Sequence, residues 1–311
     1  MRVSTTQIFQ NGVDSIHRSQ QELSRTQQQL GSGERILSPS DDPSGAVQSL
    51  QLTSAIEKLE QYERNSLSLQ QRLRASETVV SSVVDGLQRV RELVVQGNNG
   101  SQTNETRAMI AGEIRQSLDE LVQLANSQDA NGEYLFAGLS SWTRPFEVDA
   151  DGNVAYLGDD GQRSVQISPA RTVPAGDSGE RVFEDIPNGD GDLQPLFETY
   201  AQIVKTLEKP VPDQQSREDL NAAMASGLGD LDRALGHLLE VRTDLGGRMK
   251  TVETQNRINE DQLLQVRTAL SEIRDLDYAE AISRFNLQQT ALQAAQQTFV
   301  QVQRLSLFNF L

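Results

Sequence analysis

The placement of proline constrains this chain more than any other sequence feature. A proline inside a helix costs about 3 kcal/mol, so long helices exclude it. Seven of the nine prolines lie between Pro145 and Pro212, and the other two are Pro39 and Pro43. Residues 44–144 and 213–311 contain none. The chain is therefore predicted to have two helical arms that bracket an insert unfavourable to long helices.

Both arms show the hydrophobic period of long helices. Apolar residues separated by steps of four and three predict helices over about 43–96, 105–130 and 229–276. Asp42 is expected to cap the first of these, with Pro43 at its first helical position. The two chain ends share a heptad spacing, with periodic positions at Phe9, Ile16, Leu23 and Leu30, and at Tyr278, Phe285, Leu292 and Phe299.

The insert has a different pattern. Short β-like runs over 133–138, 154–157 and 164–167 are separated by turn signals such as Asp160-Gly161. Residues 140–213 hold fourteen acidic and six basic side chains. The predicted fold is mainly α with a small β insert: a long antiparallel helical rod or coiled coil, built from both chain ends, carries an outward, acidic β domain.

Charge and composition exclude several classes of function. With 44 acidic and 28 basic residues the formal charge is −16, which disfavours nucleic acids and anionic membrane surfaces as partners. The absence of cysteine removes disulfides and thiolate chemistry. No apolar run approaches the roughly 20 residues of a membrane span, and the start lacks the pattern of a cleavable signal. We expect a protein that stays in the cytosol or leaves without such a signal.

The residues give no support for catalysis, a metal or a cofactor. His17 and His237 lie in helical patterns with no nucleophile beside them, and an exposed helix face is the expected place of His237. The run from Asp149 to Asp160 resembles a calcium loop but lacks its glycine and terminal glutamate, so a β-turn is the better interpretation. Gly31-Ser32-Gly33 lacks the third glycine of a dinucleotide motif. An enzyme hidden in the insert is unsupported.

The C-terminal sequence leaves apolar side chains without an obvious core. Exposed chain ends are normally polar, so the apolar residues between Leu305 and Leu311 are expected to be buried against another subunit. Docking back onto the chain's own helices is the alternative. Together with the heptad positions, they make up a predicted subunit interface of Ile8, Phe9, Ile16, Leu23, Leu30, Phe285, Leu292, Phe299, Val302, Leu305, Leu307, Phe308, Phe310 and Leu311.

Several motifs, in order along the whole chain, resemble the flagellin-like axial proteins of the bacterial flagellum. The resemblance rests on the segments Met1-Arg2-Val3-Ser4-Thr5, Gln28-Gln29-Leu30-Gly31-Ser32-Gly33-Glu34-Arg35-Ile36, Pro39-Ser40-Asp41-Asp42-Pro43, Tyr134-Leu135-Phe136-Ala137-Gly138, Asp277-Tyr278-Ala279-Glu280-Ala281 and Ser306-Leu307-Phe308-Asn309-Phe310-Leu311. It implies a structural turn formed by Arg35, Ile36, Pro39, Asp41, Asp42 and Pro43.

The resemblance also implies a place in the flagellum. The subunit is expected to be exported by the flagellar type III apparatus after binding an export chaperone, and to form a ring of its own copies between hook-associated protein 1 and the flagellin filament. Its localisation would be extracellular. Residues 1–42 with 277–311 are expected to form a terminal coiled-coil layer ordered on assembly, 43–138 with 214–276 a helical rod, and 139–213 the acidic outer domain.

Three alternatives remain open on the sequence. Flagellin itself shares the helical arms, although Pro43 and the Phe-Asn-Phe-Leu ending favour the subunit at the hook–filament junction. A cytosolic coiled-coil adaptor explains the heptads but not the acidic insert or the apolar end. An adhesive role of the insert is compatible with the junction function.

Overall fold

The computed structural model describes residues 5–149, 152–189 and 191–308; for residues 5, 6, 8 and 302–308 it describes the backbone alone. The predicted mainly α fold is confirmed. The helices are α1 (Thr5–Ser32), α2 (Pro43–Gly97), α3 (Asn104–Ala125), α4 (Leu196–Glu208), α5 (Gln214–Arg274) and α6 (Tyr278–Phe308). The strands are β1 (Phe146–Val148), β2 (Val154–Tyr156), β3 (Ser164–Ser168) and β4 (Arg171–Pro174).

The chain forms two compact units. One contains residues 61–260, and the other contains residues 1–60 with 261–311. The division into terminal layer, rod and outer domain stays a prediction.

The apolar face of α2 forms the centre of the unit 61–260. Leu73, Val80, Leu87, Val90 and Val94 are all fully buried, as their spacing predicts. The face is covered by residues of α3, α4 and α5 and of the segment between α3 and α4, all of which belong to one hydrophobic cluster. Because the buried residues of the insert join the core of the helices, the insert does not need a thick core of its own.

Aromatic side chains from the insert concentrate at one place in this core. The ring centroid of Phe146 lies 5.0 Å from that of Phe197, 5.1 Å from Tyr156 and 5.5 Å from Phe183. Phe136 packs edge-on against Phe183 at 5.2 Å. In a chain with only 5% aromatic residues, this cluster supplies the large side chains that fix the insert to the helices.

The β-structure is limited to two antiparallel hairpins, β1–β2 and β3–β4. Helix side chains hold two neighbouring carbonyls of β3: the amide of Asn65 in α2 donates to Gln166 O at 2.8 Å, and the amide of Asn259 in α5 donates to Ile167 O at 2.9 Å. Asn259, a polar break in the heptad pattern of α5, is 2% exposed. The break is therefore a specific contact to the sheet.

One sequence prediction about the insert region is wrong, and one of its elements was not predicted. Residues 133–138 do not form a strand; apart from one isolated bridge between Gln128 and Tyr134, the segment is irregular. Leu135, Phe136 and Ala137 are buried in succession, and this is incompatible with the alternating exposure of a surface strand. The insert also contains a helix, α4, because its prolines bracket this stretch at Pro195 and Pro210 without interrupting it.

A buried carboxylate ties the insert to α5. The side chain of Asp177 is 2% exposed and accepts two hydrogen bonds from Arg248, each 3.0 Å long. Arg181 and Gln162 donate to it at 2.6 and 2.9 Å. These donors compensate the cost of taking the carboxylate out of water, so removal of one of them leaves a buried charge under-compensated.

We predict that Arg248→Ala lowers the free energy of unfolding of the chain by about 3 kcal/mol, the typical cost of breaking a buried ion pair. Urea denaturation followed by circular dichroism measures this. Lys250→Ala is the matched control, because Lys250 pairs with Glu253 at the surface and an exposed pair contributes about 0–1 kcal/mol. Equal losses for the two variants would contradict the assignment of Asp177 as a buried anchor.

Candidate assembly interface

The terminal helices α1 and α6 pair antiparallel within the unit that contains both chain ends. At one end of the pair the Leu276 N–H donates to Gly33 O at 2.9 Å. At the other end the rings of Phe9 and Phe299 lie 5.0 Å apart. A Cβ added at Gly12 would lie 2.9 Å from the Phe299 ring, so the helices approach closely at this point because Gly12 has no side chain.

The predicted interface residues lie along this pair but are incompletely covered by it. Phe9 remains 47% exposed. The other six predicted interface residues with described side chains are half-buried: Ile16, Leu23, Leu30, Phe285, Leu292 and Phe299. None of them reaches the full burial seen on α2. The assignment of this surface to a subunit interface stays a prediction.

The remaining predicted interface residues cannot be compared with the structure. Phe310 and Leu311 lie outside the described residues, and the side chains of Ile8, Val302, Leu305, Leu307 and Phe308 do as well.

Exposed apolar residues on α6 extend the candidate surface beyond the predicted row. Leu287 is 72% exposed, Ile282 51% and Val300 44%, and Tyr278, which belongs to the sevenfold row itself, is 52% exposed. Leu287 follows Phe285 by two residues, so it projects from nearly the opposite side of the helix. A search for sevenfold repeats misses Leu287, Ile282 and Val300. A search that also considers positions three or four residues from the row would have found Ile282, which precedes Phe285 by three residues.

The predicted structural turn joins α1 to α2 and contacts the end of α5. The guanidinium of Arg35 donates twice to Ile273 O, at 3.1 and 2.8 Å, and its backbone N–H donates to Arg274 O at 2.7 Å. A cation at the carboxyl end of a helix interacts favourably with the helix dipole. Gly33, with φ +75°, ends α1 in the left-handed conformation that favours glycine.

Two neighbouring aspartates organise the rest of the turn. Asp41 accepts the backbone N–H groups of Leu37 and Ser38 at 3.2 and 3.1 Å and pairs with Arg25 at 2.8 Å. Asp42 accepts the Gly45 N–H at 2.9 Å, which confirms it as the cap of α2. Of the other predicted turn residues, Pro43 begins α2, Ile36 is half-buried and Pro39 is exposed.

The surroundings of Asp42 favour its charged form. The Gly45 N–H, the Ser44 hydroxyl and the Arg35 guanidinium together hold the pKa of this carboxyl below its usual value. Because Arg35 also contacts α5, Asp42 links the start of α2 with the end of α5 through one ion pair of 3.4 Å.

The other chemical candidates take structural places. His237 is half-buried and its Nε2 lies 2.7 Å from Arg181 O, so the expected exposed position is wrong; His17 is exposed. The Asp149 region forms the β1–β2 turn, in which Asn153 N–H donates to Asp149 Oδ1 at 2.8 Å. Among residues 5–149, 152–189 and 191–308, no acidic or histidine cluster fits a metal ion, and no helix could span a membrane.

We predict that Asp42→Ala lowers the Tm of the chain by a few degrees, whereas Asp42→Asn has a smaller effect because asparagine is an equally good helix cap. The pKa of Asp42 is lowered in the folded state, so its stabilisation is present above the unfolded-state pKa and is lost as pH falls through the folded-state pKa. Thermal melts at pH 7 and at successively lower pH should therefore converge for the wild type and Asp42→Ala. A constant difference in Tm down to pH 2 would contradict this role.

We predict that Gly12→Leu separates α1 from α6, because the new side chain occupies the space of the Phe299 ring. Hydrogen exchange of the α1 amides should become faster by at least tenfold. Phe299→Ala in the same chain should restore much of the protection by vacating that space. Gly31→Leu is the control, since no atom lies within 4 Å of a Cβ there.

Comparison with known proteins agrees with this architecture. The profile of the bacterial flagellin N-terminal helical region matches residues 3–141, and that of the C-terminal helical region matches residues 228–311. The fold is similar to the crystal structure of flagellar hook-associated protein 3 from Legionella pneumophila, with a TM-score of 0.69 and 22% identity over 72% of this chain and 98% of that one.

Two sequence relatives distinguish hook-associated protein 3 from flagellin as the family of this chain. The flagellar hook-associated protein 3 of Escherichia coli K12 is 31% identical over 317 aligned residues, which cover 99% of both chains. The phase 1 flagellin of Salmonella naestved is 34% identical over only 130 residues, or 42% of this chain and 26% of that protein. The chain therefore belongs to the flagellin-like axial proteins, and within them to the family of flagellar hook-associated protein 3.

Proposed function

We propose that this chain is a structural subunit of the bacterial flagellum that forms the junction between the hook and the flagellin filament. The likeness to hook-associated protein 3 along nearly the whole of both chains carries this proposal. The likeness to the Salmonella flagellin is confined to less than half of this chain, so the junction subunit is preferred to the filament subunit.

In this proposal the subunit is exported by the flagellar type III apparatus and works outside the cell. A dedicated export chaperone binds it beforehand. Its copies then form a ring that contacts hook-associated protein 1 on one side and flagellin on the other. A chain without cysteine has no disulfide to re-form after export.

The charge distribution supports close packing of copies through the chain ends. Segments 1–33 and 278–311 contain five basic and three acidic residues, whereas the rest of the chain contains 23 and 41. Like charges a few ångströms apart repel each other. Neighbouring terminal helices would be nearly free of this repulsion, and the acidic remainder would favour positions further apart.

The half-buried rows on α1 and α6 support the same arrangement. Burial of apolar surface contributes about 25 cal/mol per Å², and a single chain gains only part of this along the terminal pair. Neighbouring copies would bury the rest. The exposed side chains Leu287 and Ile282 add apolar area that the chain itself does not cover.

Immunogold electron microscopy of intact flagella tests the proposed location. The antibody is raised against residues 139–213 and applied to cells that express the full chain. We expect label confined to the boundary between hook and filament. Label along the whole filament would instead assign the chain as flagellin, and protein found only in the cytosol would favour the coiled-coil adaptor.

We predict that Leu287→Ser leaves the Tm of the isolated chain within about 2 °C of the wild type, because this side chain is 72% exposed and surface substitutions change stability little. The same variant should reduce the number of filaments per cell by at least tenfold, since it removes apolar contact area from the proposed interface. Thr290→Ser, an exposed position one turn further along α6, is the control and should support normal filaments. Unchanged filament numbers for Leu287→Ser would exclude this side chain from the interface.

A further inference from the structure

The only tryptophan of the chain projects from a rigid surface loop. Trp142 is 73% exposed, and Leu139 in the same loop is 61% exposed. Exposed apolar side chains of this size indicate a contact surface when they are held in place, because binding then costs little conformational entropy. Tryptophan is also enriched among the residues that dominate binding energies.

The loop is held by one carboxylate. Asp159 accepts the Leu139 N–H and the Ser140 hydroxyl, each at 2.8 Å, and these contacts keep the pKa of Asp159 below its usual value. The Tyr134 N–H donates to Ser141 O at 2.8 Å. The backbone on the N-terminal side of Trp142 is therefore fixed before any partner binds.

A groove of about 670 Å³ lies within the same unit. Its apolar lining comes from Leu69 and Ala75 of α2 and from Val165 and Ala175 in or next to the β3–β4 hairpin. The turn 129–133 forms another wall, and Trp142 stands near this turn, 3.8 Å from the position of a Cβ at Gly132. The groove and the tryptophan are therefore distinct surfaces close to one another on one subunit.

The groove also offers a cation to an aromatic ring. Arg163 lines it, is 48% exposed and donates to Glu133 at 2.8 Å. Arg72 is more deeply placed and pairs with both Asp129 and Glu133. A half-exposed guanidinium beside small apolar side chains is a favourable surface for an indole ring.

Charge favours a second copy of this chain as the occupant. Residues 140–213 carry fourteen acidic side chains, yet residues 138–146 around Trp142 and residues 161–176 at the groove contain none, and the two carboxylates that do line the groove, Asp129 and Glu133, are paired with Arg72 and Arg163. These two stretches carry Arg144, and Arg163 with Arg171. Two copies of a chain with a net charge of −16 can approach through these surfaces with little repulsion, because the loop of Trp142 adds no carboxylate and the two carboxylates of the groove are already paired with arginines.

We propose that Trp142 of one copy inserts into this groove of the neighbouring copy. The contact joins two different surfaces, so each copy gives its tryptophan to one neighbour and accepts one from another, and such head-to-tail contacts form a ring when the rotation between neighbours closes. The inference rests on the proposed function, because it assigns a lateral contact within the proposed ring.

Disulfide trapping in assembled flagella tests this contact, since the chain has no cysteine of its own. Thr143→Cys and Gln71→Cys place thiols at exposed positions beside the tryptophan and in the groove. Cells that express the full-length double variant are treated with diamide, which takes up the two electrons and two protons released when two thiols form one disulfide. We expect a ladder of covalent multimers on a non-reducing gel, and monomers from either single variant.

The side chain itself is tested in the double-cysteine background. Trp142→Ala should reduce the multimer yield about tenfold, the effect of losing a central binding residue. Leu193→Ala, which removes another large apolar side chain that is 63% exposed in the same unit, should leave it unchanged. An undiminished ladder with Trp142→Ala overturns the role of tryptophan.

The same cells separate failure of the contact from failure of the proposed function. Double-variant protein present at the hook–filament boundary but running only as monomer overturns the contact and leaves the function intact, including the case in which another flagellar protein fills the groove. Absence of the wild-type chain from that boundary overturns the function.

Discussion

The absence of proline from two long stretches permits long helices, and a long helix is stable in water mainly where its apolar stripe is covered. Along the middle of α2 the coverage is complete, with Leu73, Val80 and Leu87 fully buried. Along α1 and α6 the equivalent rows are only half-buried. The same sequence pattern therefore leads to two outcomes, which differ in how many elements the chain provides to cover each stripe.

This difference in coverage distinguishes the part of the chain that provides stability from the part that we propose for assembly. The unit 61–260 has, besides its apolar core, specific polar contacts such as Asp177 with Arg248 and Asn259 with the carbonyl of Ile167. Such contacts select one arrangement, since any other leaves a buried polar group without a partner. The terminal pair has close contacts at Gly12 and Phe299 but leaves much of its apolar area exposed. That area is available to neighbouring copies in the proposed junction.

Most of the helices, and both ends of α2, could be predicted from the sequence because their causes are local, whereas α5 begins at Gln214, well before the predicted start near residue 229. The cap at Asp42, the start at Pro43 and the end of α2 at Gly97 depend on residues within one turn of the boundary. Helix α4 also had a local signal in Leu196, Tyr200 and Leu207, which share one face, but its position among prolines concealed it. The exposed side chain of Ile282 was missed because a sevenfold search follows one line on the helix surface.

Other features could not be predicted because they depend on residues far apart in the chain. The partner of Arg35 is a carbonyl 238 positions away, and no spacing rule connects a polar break such as Asn259 with a strand 92 positions earlier. The loop of Trp142 shows the same limit: its backbone is held by Asp159, 20 positions after Leu139, and its proximity to the groove comes from packing of the whole insert.

The turn around Arg35 and Asp42 combines local contacts with contacts between residues far apart in the chain. It caps the start of α2 and the end of α5 with one ion pair, at the point where the chain passes from the long helices to the terminal pair. A fixed turn limits the directions that α1 can take before any partner arrives, so less entropy is lost when neighbouring copies cover its apolar row. The half-buried heptad rows and the ordered turn thus act together. The rows provide apolar area for association, and the turn reduces the conformational entropy that is lost when neighbouring copies cover this area.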